Sequence, residues 1–338
     1  MKVLFCSYQN VSMPGGGVRT QILKTKEYLE RLGIQVELFN PWRRYEWEKI
    51  DLIHLFQTDM SNYFLISSLP QSVPLVVSPI IDKVWPHIYI KLFTKFSNLL
   101  PQQILTSYRS HYLAFKKARI VISRSTNETT MLKRGFGVNN KKIRKVYNGV
   151  DAKYLKANSE IFRSKYNFKK FVLFAGQIGN RRKNLLRLIK VAKSLSYINF
   201  VFIGPILNNE HAKEITELSK ESKNIYLLGF VSEEELISAY KACEVFVLPS
   251  IIEGTGLVAL QAALAGAKVV ITKNGGPPDY FGNLVEYIDP KSDKSIKEGI
   301  LKSFNKAKDN KLKNYIRDNF LWEKVIRRLQ EVYFEISN

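Results

Sequence analysis

Apolar runs of four or five residues recur along the chain, separated by stretches of helical periodicity, and this alternation restricts the fold more than any other feature. In the first half, Val3–Ser7, Gln35–Phe39, Leu52–Phe56, Leu75–Ser78 and Ile120–Ser123 read as strands. An amphipathic helix over Val18–Leu32 is closed by Gly33, and another runs through Lys133 and stops at Gly135. Val146–Asp151 reads as a strand end with turn chemistry, and a polar stretch follows to Lys170. The alternation then restarts with Phe171–Ala175, Phe200–Ile203, Ile225–Leu228, Val245–Leu248, Val269–Thr272 and Val285–Ile288. A helix spans Lys183 to Leu195, and an amphipathic helix over Phe320–Ile336 closes the chain. Repeated βα units imply parallel sheets with helices on both faces. Two such series in 338 residues imply two doubly wound α/β domains meeting near 150–170. A cleft is expected between them, with ligands beyond the carboxyl ends of the strands.

Lys and Arg number 52 against 30 acids, a formal net charge of +22, which favours anionic partners. The excess is local. Lys83–Lys145 carries fourteen basic residues and one acid, Glu128, interleaved with Trp85, Tyr89, Phe93, Phe96, Tyr108, Tyr112 and Phe115. Two readings stand side by side: a solvated basic face over a core stripe, and a surface that docks on an anionic membrane. Nucleic acid is disfavoured, because no helix-turn-helix, zinc-finger or RNA-binding motif accompanies the charge. Cys6 and Cys243 lie far apart in apolar runs, which excludes a disulfide framework and points to a reducing compartment. No run of 18 apolar residues occurs, and the N-terminus reads as a first strand rather than a signal peptide.

Three stretches carry chemistry. Pro14-Gly15-Gly16-Gly17-Val18 joins the first strand to a helix. It suits a close approach to an anion, and equally a plain tight turn. Gly176-Gln177-Ile178-Gly179-Asn180-Arg181-Arg182-Lys183-Asn184 places three cations at a helix start, where the dipole is already positive. An anion held between them resolves that conflict, and a solvated loop is the other reading. The densest stretch runs from Phe246 to Asp279. Glu253 lies beyond a strand's carboxyl end, and Gln261 falls on the second turn of the following helix. A carboxylate and an amide so presented suit sugar hydroxyls, and the N–H groups of 255–258 suit phosphate. No Asp-x-Asp occurs, so no ligand set for a metal-bridged diphosphate is evident. Of the four histidines, His54 alone ends a predicted strand. It reads as a satisfied core residue or as one lining the cleft.

The chain resembles a retaining glycosyltransferase of family 4, with the GT-B fold. The motifs that carry the resemblance are Gly16-Gly17-Val18, Asp51–His54, Asn148-Gly149-Val150-Asp151, Gly176–Asn184, Pro249-Ser250 with Glu253-Gly254-Thr255-Gly256-Leu257, Gly275-Gly276 and Trp322-Glu323. The resemblance implies an acceptor-side Rossmann-like domain over 1–150, a nucleotide-sugar-binding domain over 151–319, and a helix over 320–338 that packs back toward the first. It implies that Glu253 contacts donor sugar hydroxyls, Gln261 faces the ribose, and Arg182 and Lys183 grip the diphosphate. Gly16 and Gly17 would close over it, with Gly254, Thr255, Gly256, Leu257 and Val258 also at the donor.

This chain departs from the family pattern in three places. Gln261 stands where Glu is usual and Gln177 where Arg is usual. The segment Ser78-Pro79-Ile80-Ile81-Asp82 lacks the usual His, and Asp82 or a backbone group is left to replace it. The implied donor is a UDP- or GDP-linked sugar, and the acceptor a glycan or lipid-linked glycan at the cytoplasmic face of the membrane. No metal or other cofactor is expected, the cations at 181–183 taking a metal's electrostatic role. The rival readings are a non-catalytic relative serving as a membrane- or polyanion-binding scaffold, and an epimerase of the same fold. The latter needs paired acid/base residues where the sequence offers only Glu253.

Overall fold

The computed structural model describes residues 1–8, 11, 16–82, 85–101 and 103–337. Pro14 and Gly15 of the first glycine loop, and Lys83 at the head of the basic stretch, lie outside the described residues. In chain order the first half gives β1 (Lys2–Cys6), α1 (Gly17–Glu30), β2 (Gln35–Leu38), β3 (Leu52–Phe56), α2 (Tyr63–Ser68), β4 (Leu75–Ser78), α3 (His87–Leu99), α4 (Ser107–Lys117), β5 (Ile120–Ser123), α5 (Thr126–Thr130) and β6 (Ile143–Lys145). Then follow α6 (Glu160–Tyr166), β7 (Phe171–Ala175), α7 (Leu185–Lys193), β8 (Asn199–Ile203), α8 (Glu210–Lys220), β9 (Ile225–Gly229), α9 (Glu233–Ala242), β10 (Val245–Leu248) and α10 (Leu257–Ala265). The last elements are β11 (Lys268–Thr272), α11 (Pro277–Phe281), β12 (Glu286–Ile288), α12 (Asp293–Asn305), α13 (Lys311–Phe320) and α14 (Trp322–Ser337).

The chain divides into two units: Met1–Gly149 together with α14, and Val150–Leu321. In the first, six parallel strands run β2-β1-β3-β4-β5-β6. β3 is buried along its whole length and β1 from Val3 on, which is why they read as continuous apolar runs instead of alternating ones. α1 turns Ile22, Thr25, Tyr28 and Leu29 inward at helical spacing. The final helix expected from Phe320 is two helices: Leu321 is extended (φ −63°, ψ 144°) and separates α13 from α14. α14 then buries Trp322, Val325, Ile326, Leu329, Val332 and Tyr333 in the first unit's core, with Trp322 stacked on Tyr28. Each such side chain contributes roughly 1.5–3 kcal/mol when fully buried. β6 ends one residue before the expected Val146 run. Val146 adds a last ladder bond, donated to the Ser123 carbonyl.

The second unit's strands run β12-β11-β10-β7-β8-β9, again all parallel. α10 is apolar almost all round, and its alanines let it lie close against α9 and α13. The helices α3 and α4 go unmarked in the sequence reading, which registers that segment only as basic and aromatic.

Candidate active site

Connections in the second unit run outward from the β7/β10 pair in both directions. The loops that follow these two strands therefore part over the carboxyl edge, where such sheets hold ligands. The loop after β7 carries Arg182 and Lys183, and the loop after β10 carries Glu253. The structure brings them together. Lys183 Nζ donates to Glu253 Oε1 at 2.7 Å, with the two side chains only 13% and 7% exposed.

Backbone bonds fix both loops. The Arg182 carbonyl accepts from Ile251 N–H at 2.9 Å, and Asn184 Nδ2 donates to the carbonyls of Pro249 at 3.0 Å and Pro290 at 2.8 Å. Asn184 is left-handed (φ 60°), so the helix expected from Lys183 begins only at Leu185. Arg181–Lys183 form a separate 3-10 turn, closed by Asn180 Oδ1 accepting from Arg182 N–H at 3.1 Å. The cations thus lie outside α7's first turn. Opposite them, Glu253 N–H donates to the Asn274 carbonyl and Gly276 N–H to the Glu253 carbonyl. Gly275 has φ 100°, and a Cβ there would stand 2.0 Å from the Glu253 carbonyl oxygen. Only glycine lets the 274–276 turn hold Glu253 this closely.

Gly256, left-handed at φ 78°, precedes α10, with Leu257 and Val258 half-buried in its first turn. Thr255 is buried and its hydroxyl donates to the Tyr280 hydroxyl at 3.4 Å, while Gly254 is half-buried beside Glu253. Gln261 lies on the second turn, half-buried, its Oε1 accepting from the Tyr240 hydroxyl at 3.3 Å. The sequence reading missed Tyr240, and also assigned no role to Ser250, whose fully buried hydroxyl has no hydrogen-bond partner. An orphaned hydroxyl in this loop was signalled only by its place in the Pro249-Ser250 motif.

In the first unit, Gly16 precedes α1 and Gly17 opens it, both exposed. His54 sits inside β3 rather than at its end and is 1% exposed. Its Nε2 meets Ser78 Oγ at 2.8 Å, its Nδ1 the Tyr333 hydroxyl, and its ring stacks on Phe56. Burial pushes its pKa down to about 3. It is a satisfied interior histidine, with both ring nitrogens engaged. Asp82 is half-buried and accepts from Arg124 Nη2 at 3.0 Å. Arg124 also pairs with Glu128 at 2.9 Å, and Glu128 accepts from the N–H groups of Ile81 and Arg124. The single acid of the basic stretch is therefore interior.

Some of the cations of the same stretch are turned inward. Arg109 is buried and donates to carbonyls of Pro101 and Ile104. Lys117 Nζ ties down the end of α2 by donating to the Ile66 and Ser67 carbonyls, both at 2.8 Å. Arg144 pairs with Glu335 of α14. Lys116, Arg119, Lys133, Arg134, Lys141 and Lys145 face solvent, and so does most of α3. Its inward residues are Ile90, Thr94 and Ser97, while Ile88, Tyr89, Leu92, Phe93, Phe96 and Leu99 face outward, Phe96 at 59% and Leu99 at 84% exposure. Trp85 precedes them, and Lys91 and Lys95 stand exposed on the same helix. No helix among the described residues is long and apolar enough to cross a membrane, and no three metal-ligating side chains cluster there.

A family model described as glycosyl transferases group 1 matches residues 137–319. An uncharacterized glycosyltransferase of Methanocaldococcus jannaschii is 24% identical over 210 residues, covering 57% of this chain and 54% of that protein. An N-acetylgalactosamine-N,N'-diacetylbacillosaminyl-diphospho-undecaprenol 4-alpha-N-acetylgalactosaminyltransferase of Campylobacter jejuni is 28% identical over 183 residues, 52% of this chain and 48% of that one. These matches span about half the length of the curated relatives. The Anabaena protein HepE, solved in complex with UDP and glucose, shares the fold with a TM-score of 0.72 at 16% identity, over 98% of both chains.

Proposed function

The chain belongs to the glycosyl transferases group 1 family and has the GT-B fold, and on that premise we propose that it is a retaining hexosyltransferase. It moves a sugar from a UDP- or GDP-linked donor to a glycan or lipid-linked acceptor, in making cell-surface polysaccharide or glycoconjugate. The donor is held by the second unit and the acceptor by the first. The observation that carries this reading is the buried Lys183–Glu253 pair at the switch point of the second sheet. Glu253 accepts from donor sugar hydroxyls. Lys183, with one of its three N–H donors on Glu253, has two left for phosphate oxygens, and Arg182 stands beside it.

Cleavage of the sugar–phosphate bond leaves an oxocarbenium-like centre and builds charge on the departing diphosphate. Arg182 and Lys183 neutralise that charge, in the role a divalent metal would otherwise take. An oxygen of the leaving phosphate accepts the acceptor's proton on the same face, so the sugar keeps its configuration and no protein base is needed. The UDP and glucose bound to HepE support a nucleotide-sugar donor, and the Campylobacter relative's diphospho-undecaprenol substrate supports a lipid-linked acceptor. The outward apolar face of α3, with Lys91 and Lys95, supports docking on an anionic lipid layer at the inner face of the cytoplasmic membrane.

The test is a panel of nucleoside diphosphates in thermal melts, followed by radiolabelled sugar transfer from the nucleotide that binds. Binding at a hundredfold excess over Kd stabilises by about 2.7 kcal/mol. A chain that no nucleoside diphosphate stabilises, and that transfers no label, is a scaffold and not a transferase.

A further inference from the structure

α10 is buried except along one stripe. Leu257, Val258 and Gln261 are half-buried and its other six residues are buried. The spacing puts these three on one face, which begins where the Glu253 loop ends. Gln261 is not a loose amide there: its Oε1 accepts from the Tyr240 hydroxyl at 3.3 Å. Tyr240, on α9, is fully buried, with its ring edge-on to Phe246 and Tyr154 at centroid separations of 5.6 and 6.1 Å. Burial raises its pKa well above the ordinary value, so the hydroxyl keeps its proton. That proton has one acceptor among the described residues, Gln261. An amide turned over would set its –NH2 against the phenol and leave a buried O–H without an acceptor, which protein interiors rarely contain. The amide oxygen is therefore the inward atom. Nε2, which has no partner among the described residues and is not buried, is what the stripe offers a ligand.

We propose that Gln261 reads the ribose of the bound nucleotide as a hydrogen-bond donor, from Nε2 to a ribose oxygen, and that Tyr240 is the positioning residue that makes it one. The inference rests on the second unit holding a nucleotide-linked sugar, as proposed above. Such a donor runs sugar, diphosphate, ribose. Glu253 and Lys183 take the first two, and Gln261, about 6 Å further along α10 than Leu257, falls level with the third. The Glu usual in the family pattern only accepts when ionised, and so calls for a ribose O–H. This chain inverts the requirement: the ribose must present a lone pair, and needs no O–H.

The experiment titrates UDP and GDP, each unmodified or carrying a methoxy or an amino group at the 2′ or 3′ position, into the full chain, Gln261→Glu and Tyr240→Phe. A methoxy oxygen only accepts, and an amine kept protonated at mildly acid pH only donates. At the ribose position that faces Gln261, the wild type holds the methoxy nucleotide within about threefold of the unmodified one and binds the ammonium nucleotide about tenfold or more weakly. Gln261→Glu, of the same size, reverses that order, which a steric effect of the methyl group could not do. Tyr240→Phe changes no charge and lets the amide turn over, so the gap between the two nucleotides closes to about threefold or less. If Tyr240→Phe does not fold, Gln261→Glu decides. An ammonium nucleotide bound by the wild type as well as the methoxy one, an order not reversed in Gln261→Glu, or a gap unchanged in folded Tyr240→Phe overturns the proposal and leaves the transferase reading standing. Failure of both UDP and GDP to bind strikes that reading, and the proposal with it.

Discussion

The two sheets share strand number and parallel sense, yet their carboxyl edges are finished in opposite ways. In the second unit the crevice is filled with charge and tied shut: Lys183 to Glu253, Arg182 to Ile251, Asn184 to Pro249, Glu253 to the 274–276 turn. In the first it is an open hollow in which Ile22, Leu23, Leu38, Phe39, Phe64 and Leu65 predominate, with Ser7, Tyr8, Arg19, Ser61 and Asn62 among them. On the proposed function, the difference matches what each side would have to do. Stabilising a leaving diphosphate takes charges held in place before the reaction, since their value lies in not having to reorganise. Holding an acceptor takes shape and apolar area, which can vary without touching the chemistry.

The largest expected effect tests the charged side. Glu253→Ala should lower turnover by about 10²-fold or more, through loss of contacts that matter most in the transition state. The same change strips Lys183 of its buried partner, so nucleoside diphosphate affinity should hold or rise. Turnover near normal in a folded Glu253→Ala protein would erase the contrast, because the fixed charge would then serve packing alone.

This asymmetry also governs how much could be read from sequence. Every strand of the second unit was legible: β7, β8, β10 and β11 are apolar runs buried on both faces, and the partly buried edge strands β9 and β12 still carry β-formers at the expected spacing. Glu253 and the 176–184 loop stood out because a carboxylate and clustered cations follow strand ends among glycines, though a solvated loop remained the other reading of 176–184, and Gly275 stood out only as part of the family motif. The start of α7 was misplaced by two residues, since nothing in Arg-Arg-Lys-Asn announces that Asn184 is left-handed. Tyr240, which meets Gln261 from α9, and Tyr333, which meets His54 from the chain's end, are contacts across long separations that no local pattern reports. α3 escaped because its pattern is inverted: the apolar residues that mark a helix's buried face are here its outer ones. Composition did not tell the inward cations of 83–145 from the outward ones: Arg109, Lys117 and Arg124 are spent on carbonyls and carboxylates inside the unit, while Lys91, Lys95, Lys116 and Lys133 stand exposed.

A second expected effect belongs to the first unit. His54 titrates near 3 in the fold against 6.5 ordinarily. Between those values the unfolded chain holds a proton that the native one does not, so stability rises with pH across the window. The contribution is complete above pH 6.5 and is lost as pH falls, by about 1.4 kcal/mol per unit, or about 2 kcal/mol at pH 5. Calorimetric melts of the wild type and His54→Gln at pH 7 and 5 read this as a difference in slope, independent of any fixed cost of the substitution. Parallel slopes would mean that His54 reaches water or finds an acid in the native state.

The smallest effect concerns the outer face of α3, where charge and apolar area can be told apart. A lysine near an anionic leaflet is worth about 1 kcal/mol, roughly fivefold in affinity, and screening confines that to charges within about 8 Å of the surface at physiological salt. Lys91→Glu and Lys95→Glu should each weaken flotation with anionic liposomes by about that factor or more, and high salt should remove the difference between variant and wild type. The contribution of Leu92, Phe96 and Leu99 persists in salt, because it depends on area removed from water. Lys117→Glu serves as the contrast: its ammonium holds α2's carbonyls, so its reversal should lower the melting temperature while the protein that remains folded floats as before. Equal recovery on neutral and anionic vesicles, or a Lys117 effect on flotation as large as that of Lys91, would return the whole segment to an ordinary solvated face.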